Sequence, residues 1–251
     1  MTSDGYDASY FERIAEKEPG SFWFRARSRL LESVVRRRFP EARSLLEVGC
    51  GTGFVLAGLH DAFPQLRLVG SELFAEGLEI ARRRLPPEVE LVELDARAMP
   101  YDGEFDLVGA FDVLEHIDED VSVLQGMRRA VRDGGGLLVI VPQHPALWSA
   151  ADTFAHHVRR YRRGELVRKI RAAGFEPVEV TSFVTSLLPA MVASRVAHRL
   201  ARRPYDPIEE LEPGALNGVF ERILDGERRL IERGVSLPFG GSLLVAARAR
   251  G

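Results

Sequence analysis

The sequence predicts an α/β fold, a doubly wound and mainly parallel sheet with helices on both faces. Three observations carry this. Short apolar runs alternate with helix-length segments from Ser44 to Pro142, the order of right-handed strand–helix–strand crossovers. Three glycines, Gly49, Gly51 and Gly53, stand between the first apolar run and the helix that follows, where bare backbone lets a ligand approach a helix N-terminus. The length, 251 residues, suits one large α/β domain or a core with an inserted subdomain.

The elements follow in order. Residues 6–39 read as helices, because Phe22, Phe24, Leu30, Leu31, Val34 and Val35 fall on one stripe with arginines between them. Strand Ser44–Val48 precedes the glycines. A helix over 54–63 ends near Pro64, a second strand covers 66–70, and a helix over 74–85 stops at Pro86 and Pro87, since proline cannot continue the ladder. Strands are expected at 89–94 and Phe105–Phe111, a helix at 118–131, a glycine turn at 133–136 and a fifth strand at 137–142. A helix over 163–173 leads to strand Phe175–Phe183, and helices over 186–233 separate it from the last strand, Ser242–Ala249. The expected organisation is a helical cap (1–40), a ligand-binding core (41–184 with 240–251) and a helical insertion (185–239) acting as lid or interface.

Composition narrows the function. Hydrophobic residues make up 45% and charged residues 28%, as in ordinary folded domains. The formal net charge of −3 supplies no basic excess for a phosphate backbone, so no nucleic-acid partner is expected. The single cysteine, Cys50, cannot form an internal disulfide. With a polar N-terminal stretch that lacks a signal-peptide core, it points to a cytoplasmic location. The apolar segment 183–200 is interrupted by Pro189, Arg195 and His198 and is too short to read as a spanning helix. A lid, a homodimer contact and a weak membrane-surface contact remain open for it.

The glycine turn restricts the ligand. Its spacing is Gly-x-Gly-x-Gly, neither the Gly-x-Gly-x-x-Gly of dinucleotide sites nor a P-loop. Glu47, two residues before the first glycine, would repel a pyrophosphate but suits an ammonium and a sulfonium. Glu72 comes 19 residues after Gly53, where doubly wound folds place an acid for ribose hydroxyls. Asp95 follows the third strand, within reach of the exocyclic amine of an adenine. Three acids ending three successive strands ask for a ligand with an amino acid, a ribose and a purine.

"LLEVGCGTGFVLAGL", "VGSELF", "ELDARAMPYDGEFDLVGAFDVLEHI" and "GGGLLVIVPQ" together resemble the class I S-adenosylmethionine-dependent methyltransferases, over roughly 44–143. The resemblance implies a Rossmann-like seven-stranded sheet with an antiparallel last strand, and S-adenosyl-L-methionine as cofactor. It implies methyl transfer by in-line displacement to an oxygen, nitrogen or carbon of a small-molecule acceptor, in a sugar, lipid-linked or natural-product pathway. Carried over, Glu47, Gly49, Gly51 and Gly53 surround the methionine part, with Cys50 between them as a small filler rather than a nucleophile. Glu72 holds the ribose, Leu73 lies against the adenine, and Asp95 and the Ala96 backbone meet its edge. Phe111 and its neighbour Asp112 complete the methionine pocket, although Leu73 and Phe111 also read as core and Asp112 as a cap or surface carboxylate. Two rivals stand beside this reading: a regulatory or partner protein that binds the cofactor without turnover, and a nicotinamide-dependent oxidoreductase, which the glycine spacing and Glu47 disfavour.

The acceptor side is sought in "PQHPALWSAADTFAHHVRRYRRGEL", after the fifth strand and at the same carboxyl edge. His144, His156 and Tyr161 are the catalytic candidates, with either histidine as general base; the bland alternative has His156 and His157 lining or capping a loop. Adjacent His156 and His157 point apart and no carboxylate-rich set accompanies them, so no metal is expected. The arginine run either binds an anionic acceptor or forms an exposed face, and His116 in "LEHI" either lines the pocket or is structural.

Overall fold

The computed structural model describes residues 8–201 and 214–250, with side chains described for 10–197 and 214–250. The chain runs α1 (Ala8–Lys17), α2 (Phe22–Arg38), β1 (Ser44–Val48), α3 (Phe54–Ala62), β2 (Arg67–Glu72), α4 (Ala75–Arg84), β3 (Glu90–Glu93), β4 (Phe105–Phe111), α5 (Asp120–Ala130), β5 (Val131–Pro142), α6 (Ala150–Phe154), α7 (Arg163–Ala172), β6 (Phe175–Phe183), α8 (Leu188–Ala201), α9 (Asn217–Glu232) and β7 (Ser242–Ala249). The seven strands form one sheet in the order β3-β2-β1-β4-β5-β7-β6. Strand β7 is antiparallel to both of its neighbours and the other pairings are parallel. This is the Rossmann-like sheet that the resemblance implies.

Strand β1 pairs with β2 on one side and β4 on the other. The chain order reverses there, which opens a crevice beyond the carboxyl ends of the strands. The strands are apolar on both faces because both are covered. Leu45, Leu107, Leu138 and Leu244 pack with Leu30, Leu31, Val34, Leu56 and Leu59 of α2 and α3. Their alternates Leu46, Val108, Leu137 and Leu243 pack with Val123, Leu124, Met127, Leu166 and Ile170 of α5 and α7. The period of two assigns one residue to each layer.

Two boundaries differ from the sequence reading. Strand β2 continues past Gly70 to Glu72, because its ladder to β1 and β3 persists to the pair Glu72 and Glu93. The glycines at 133–136 do not separate helix from strand. Val131 already pairs with Phe105 and pairing resumes at Gly136 opposite Leu107, so the glycines are an excursion within β5. The expected helix start at Tyr6, and residues 202–213 of the expected insertion, lie outside the described residues.

The segment before β7 stands on the N-terminal helices. Arg25 and Arg29 of α2 pair with Glu221 of α9, and Arg29 also with Asp225, while the Phe22 amide donates to Asn217 Oδ1 at 2.9 Å. Helix α8 leaves Val192 and Val196 exposed. Among the described residues no helix is long and apolar enough to cross a membrane.

Candidate active site

The carboxyl ends of β1 to β4 open into a cleft of about 1800 Å³. Tyr10, Phe11, Trp23, Phe24 and Arg27 of α1 and α2 line it from above. Its floor is the glycine turn, where Gly49, Gly51 and Gly53 have φ of +68°, +54° and +75°. That left-handed region strains any residue with a Cβ. The three differ in what surrounds them. A Cβ at Gly49 would come within 2.6 Å of Val113 Cγ2, and one at Gly53 within 2.7 Å of Leu85 Cδ1. At Gly51 nothing lies within 4 Å, so its missing side chain leaves open space in the cleft wall.

Three acids border the turn. Glu47, at the end of β1, is only 3% exposed, and its Oε2 has no hydrogen-bond partner. Burial pushes its carboxyl up to about 8; nearby Arg27 opposes this, and the Glu72 and Glu18 charges add to it. Glu72 accepts from the Gly51 amide at 2.9 Å through Oε2, and from the Leu73 and Phe74 amides at 2.8 and 3.1 Å through Oε1. It thereby ties the end of β2 to the glycine turn. Burial raises its carboxyl as well, against these three bonds. Asp95 caps the short 3-10 helix Ala96–Ala98 by accepting from the Arg97 amide, and its carboxylate also pairs with the Arg97 guanidinium at 2.7 Å. The Arg97 bond holds its carboxyl below the usual range.

Leu73, 46% exposed, and Ala96 line the cleft beside these acids, while buried Cys50 and Phe111 form its inner wall. Asp112 lines the cleft with a left-handed backbone, φ +57°, and pairs with Arg27. The Arg27 guanidinium lies 4.4 Å from the Trp23 ring centroid and is largely buried.

The loop after β5 divides the catalytic candidates. His156 lines the cleft with φ of +54°. Tyr161 and His144 do not line it. Tyr161 is fully buried, with its hydroxyl 2.7 Å from Asp120 Oδ2 and 3.1 Å from the Leu114 carbonyl. Burial, with Asp120 beside it, pushes the phenol far up, so it serves the core as a strut and offers no proton acceptor to the cleft. His144 stacks on Phe239 at 5.9 Å, and its Nε2 is buried without a partner. The cause is local: Gln143 and Tyr161 form a parallel β-bridge that draws both flanks of the loop down onto the sheet edge.

Residues 45–135 match the methyltransferase domain family. Through that segment the chain is similar to S-adenosylmethionine-dependent methyltransferases. Among curated proteins it is 29% identical over 156 residues to the trans-aconitate 2-methyltransferase of Azoarcus sp., covering 62% of this chain and 59% of that protein. The alignment thus spans under two thirds of that relative's length. Among solved structures the chain resembles a chain of the complex containing the Haloferax volcanii Trm112 methyltransferase activator, with TM-score 0.64, 17% identity and 96% of both chains covered. It also resembles Haemonchus contortus phosphoethanolamine N-methyltransferase 2 in complex with S-adenosyl-L-methionine, with TM-score 0.59, 16% identity and 88% of this chain against 52% of that one covered. At these identities the likeness concerns the fold.

The cleft also contains side chains that sequence reasoning passed over. Glu18, in the turn just after α1, accepts from Thr52 Oγ1 of the glycine turn at 2.7 Å and from Arg84 of α4 at 2.5 Å, latching the roof onto the floor. Glu115 is fully buried, lines the cleft, and has no hydrogen-bond partner at either oxygen. Burial and the nearby Asp112 carboxylate push it well up, against Arg27 and Arg160. Arg27 and Glu18 act across 85 and 34 residues of chain, toward Asp112 and Thr52, and the Glu115 backbone carbonyl accepts from the distant Val158 amide. Of the three, only Glu115 carries a sequence signal, its place within the quoted family motif.

Proposed function

We propose that this protein moves the methyl group of S-adenosylmethionine onto a small-molecule acceptor by in-line displacement. The observation that carries the proposal is Glu47, a buried carboxylate with an unpartnered oxygen beside three left-handed glycines. Such a group is costly to bury unless a cation or donor reaches it. The amino-acid end of S-adenosylmethionine carries an ammonium, so the residues present fit this cofactor. When bound, S-adenosylmethionine supplies an electrophilic methyl group on a sulfonium.

The chain's own residues then have distinct tasks. Gly51 leaves room for close approach to the backbone. Glu72 offers its remaining acceptor capacity to ribose hydroxyls while holding the turn in shape. Exposed Leu73 gives an apolar face for the adenine, with Asp95 and Ala96 at its edge. Phe111 and Asp112 close the methionine side. Catalysis of a displacement rests largely on alignment and exclusion of water, and the roof of α1 and α2 is placed for both.

The cleft's volume of about 1800 Å³ exceeds the roughly 300–1,000 Å³ of an ordinary ligand pocket, which leaves room for an acceptor. Phe22, Trp23, Leu187, Met191 and Phe220 are among the residues that line the cleft and favour an acceptor with an apolar body. His156 is the histidine we retain for taking an acceptor proton where the acceptor atom carries one. The test is calorimetry with S-adenosylmethionine and with NAD, followed by a methyl-donor assay over hydroxyl, amine and carbon acceptors. Binding of S-adenosylmethionine and turnover of one acceptor class are expected. Binding of NAD alone would move the protein to the oxidoreductases, and cofactor binding without turnover across all classes to the regulators.

A further inference from the structure

We propose that Glu115, His116 and His157 form a divalent-cation site in the acceptor half of the cleft, of the kind that two imidazoles and one carboxylate offer to Zn²⁺. Among the described residues, one ligand atom from each of the three lies within 4.8 Å of the others. All three side chains line the cleft, so a bound ion keeps an open face for a further ligand. A His₂Glu set with an open position is an established donor set for Zn²⁺.

The surroundings are built for this. Nearby charges are already matched: Asp112 pairs with Arg27, and Asp152 with Arg160 at 2.6 Å. Glu115 is left as a fully buried carboxyl with neither oxygen satisfied, which a cation would complete. His157 Nδ1 lies 2.9 Å from Asp152 Oδ1. A carboxylate on the far nitrogen is the outer contact that orients a metal-binding imidazole. His116 bonds to the Ala155 carbonyl, and its ring stands edge-on to His157 with centroids 4.7 Å apart. The two loops are joined where the Val158 amide donates to the Glu115 carbonyl at 2.8 Å. The sequence reading rejected a metal because His156 and His157 diverge. The structure pairs His157 instead with a glutamate and a histidine from the loop after β4.

An ion here would hold an acceptor oxygen against the methyl donor; that role rests on the methyltransferase reading, whereas binding of the ion does not. The full chain, stripped with a chelator, is titrated calorimetrically with Zn²⁺ and, separately, with S-adenosylmethionine. Co²⁺ absorption supplies a second readout on the unmutated chain. We expect stoichiometric Zn²⁺ binding, intense visible Co²⁺ bands of a low-coordinate site, and at least about tenfold weaker Zn²⁺ binding in Glu115→Gln and His157→Ala, with circular dichroism checking the fold. Absence of Zn²⁺ binding and of those Co²⁺ bands would overturn the site, as would equal affinity in both folded variants. If neither variant folds, the Co²⁺ spectrum of the unmutated chain decides. Cofactor binding without Zn²⁺ sinks this site alone. Zn²⁺ binding without cofactor sinks the methyltransferase reading alone.

Discussion

The two halves of the cleft are held by different kinds of contact. The half over β1 to β3 is made of backbone. Left-handed glycines shape it, and Glu72 fixes it by accepting from three main-chain amides. The half under α2 and the loop after β5 is made of side chains, some meeting across long stretches of chain, such as Arg27 with Asp112, and some within the loop, such as His157 with Asp152. A backbone cradle suits a ligand common to a whole family, because it is set by the fold itself. A side-chain wall can change with little effect on the sheet, and it is where an acceptor would be selected.

The largest effect should separate the glycines. Gly51→Val places its side chain in the open space of the cleft and should remove detectable cofactor binding in calorimetry. All three positions strain a side chain by their left-handed backbone, and Gly49→Ala and Gly53→Ala, which also meet Val113 and Leu85, should act mainly by lowering the melting temperature. If Gly51→Val binds normally, the backbone cradle is not the cofactor site. Next comes Arg27→Ala, which strips Asp112 of its partner and deprives Glu47 of a nearby positive charge. Breaking a largely buried pair costs about 3 kcal/mol, read in denaturant unfolding. A loss under about 0.5 kcal/mol would show that the side-chain half does not depend on this pair.

Glu72→Ala should weaken cofactor binding by about 1.5–3 kcal/mol through lost charge-assisted bonds; unchanged affinity would take Glu72 out of the site. A further effect is on the free protein. The Glu47 carboxyl is raised to about 8, so between the ordinary carboxylate range and pH 8 the folded state holds a proton that the unfolded state has lost. Stability therefore falls as pH rises through that window. Glu47→Gln should remove this slope and raise the melting temperature near pH 8, by about 2–4 °C per kcal/mol regained. A melting curve against pH that matches the parent's would contradict it.

The same division explains what the sequence made legible. The sheet, the glycine turn and the acids at the strand ends are local: Gly49, Glu72 and Asp95 announce themselves by spacing from the nearest strand. The alternating runs of β1 and β4 give both core layers directly. The acceptor half is not local. Tyr161 sits in a stretch of candidate residues, yet its hydroxyl turns to Asp120 and Leu114, because the bridge to Gln143 fixes that segment against the sheet. Nothing in the spacing of Glu18 tells that it will meet Thr52 and Arg84. Glu115 stands inside a recognised motif, but only the packed loops reveal that its carboxylate is buried without a partner.

The central claim is that Glu47 is held for the ammonium of S-adenosylmethionine, and proton release on binding tests it most directly. Near pH 7 the free protein carries Glu47 protonated, since its carboxyl titrates at about 8, and an ammonium beside it would drive the proton off. Cofactor titrations in buffers of different ionisation enthalpy should report about one proton released by the unmutated chain and none by Glu47→Gln, which should also bind more weakly. Equal proton release and equal affinity in the two proteins would contradict the account.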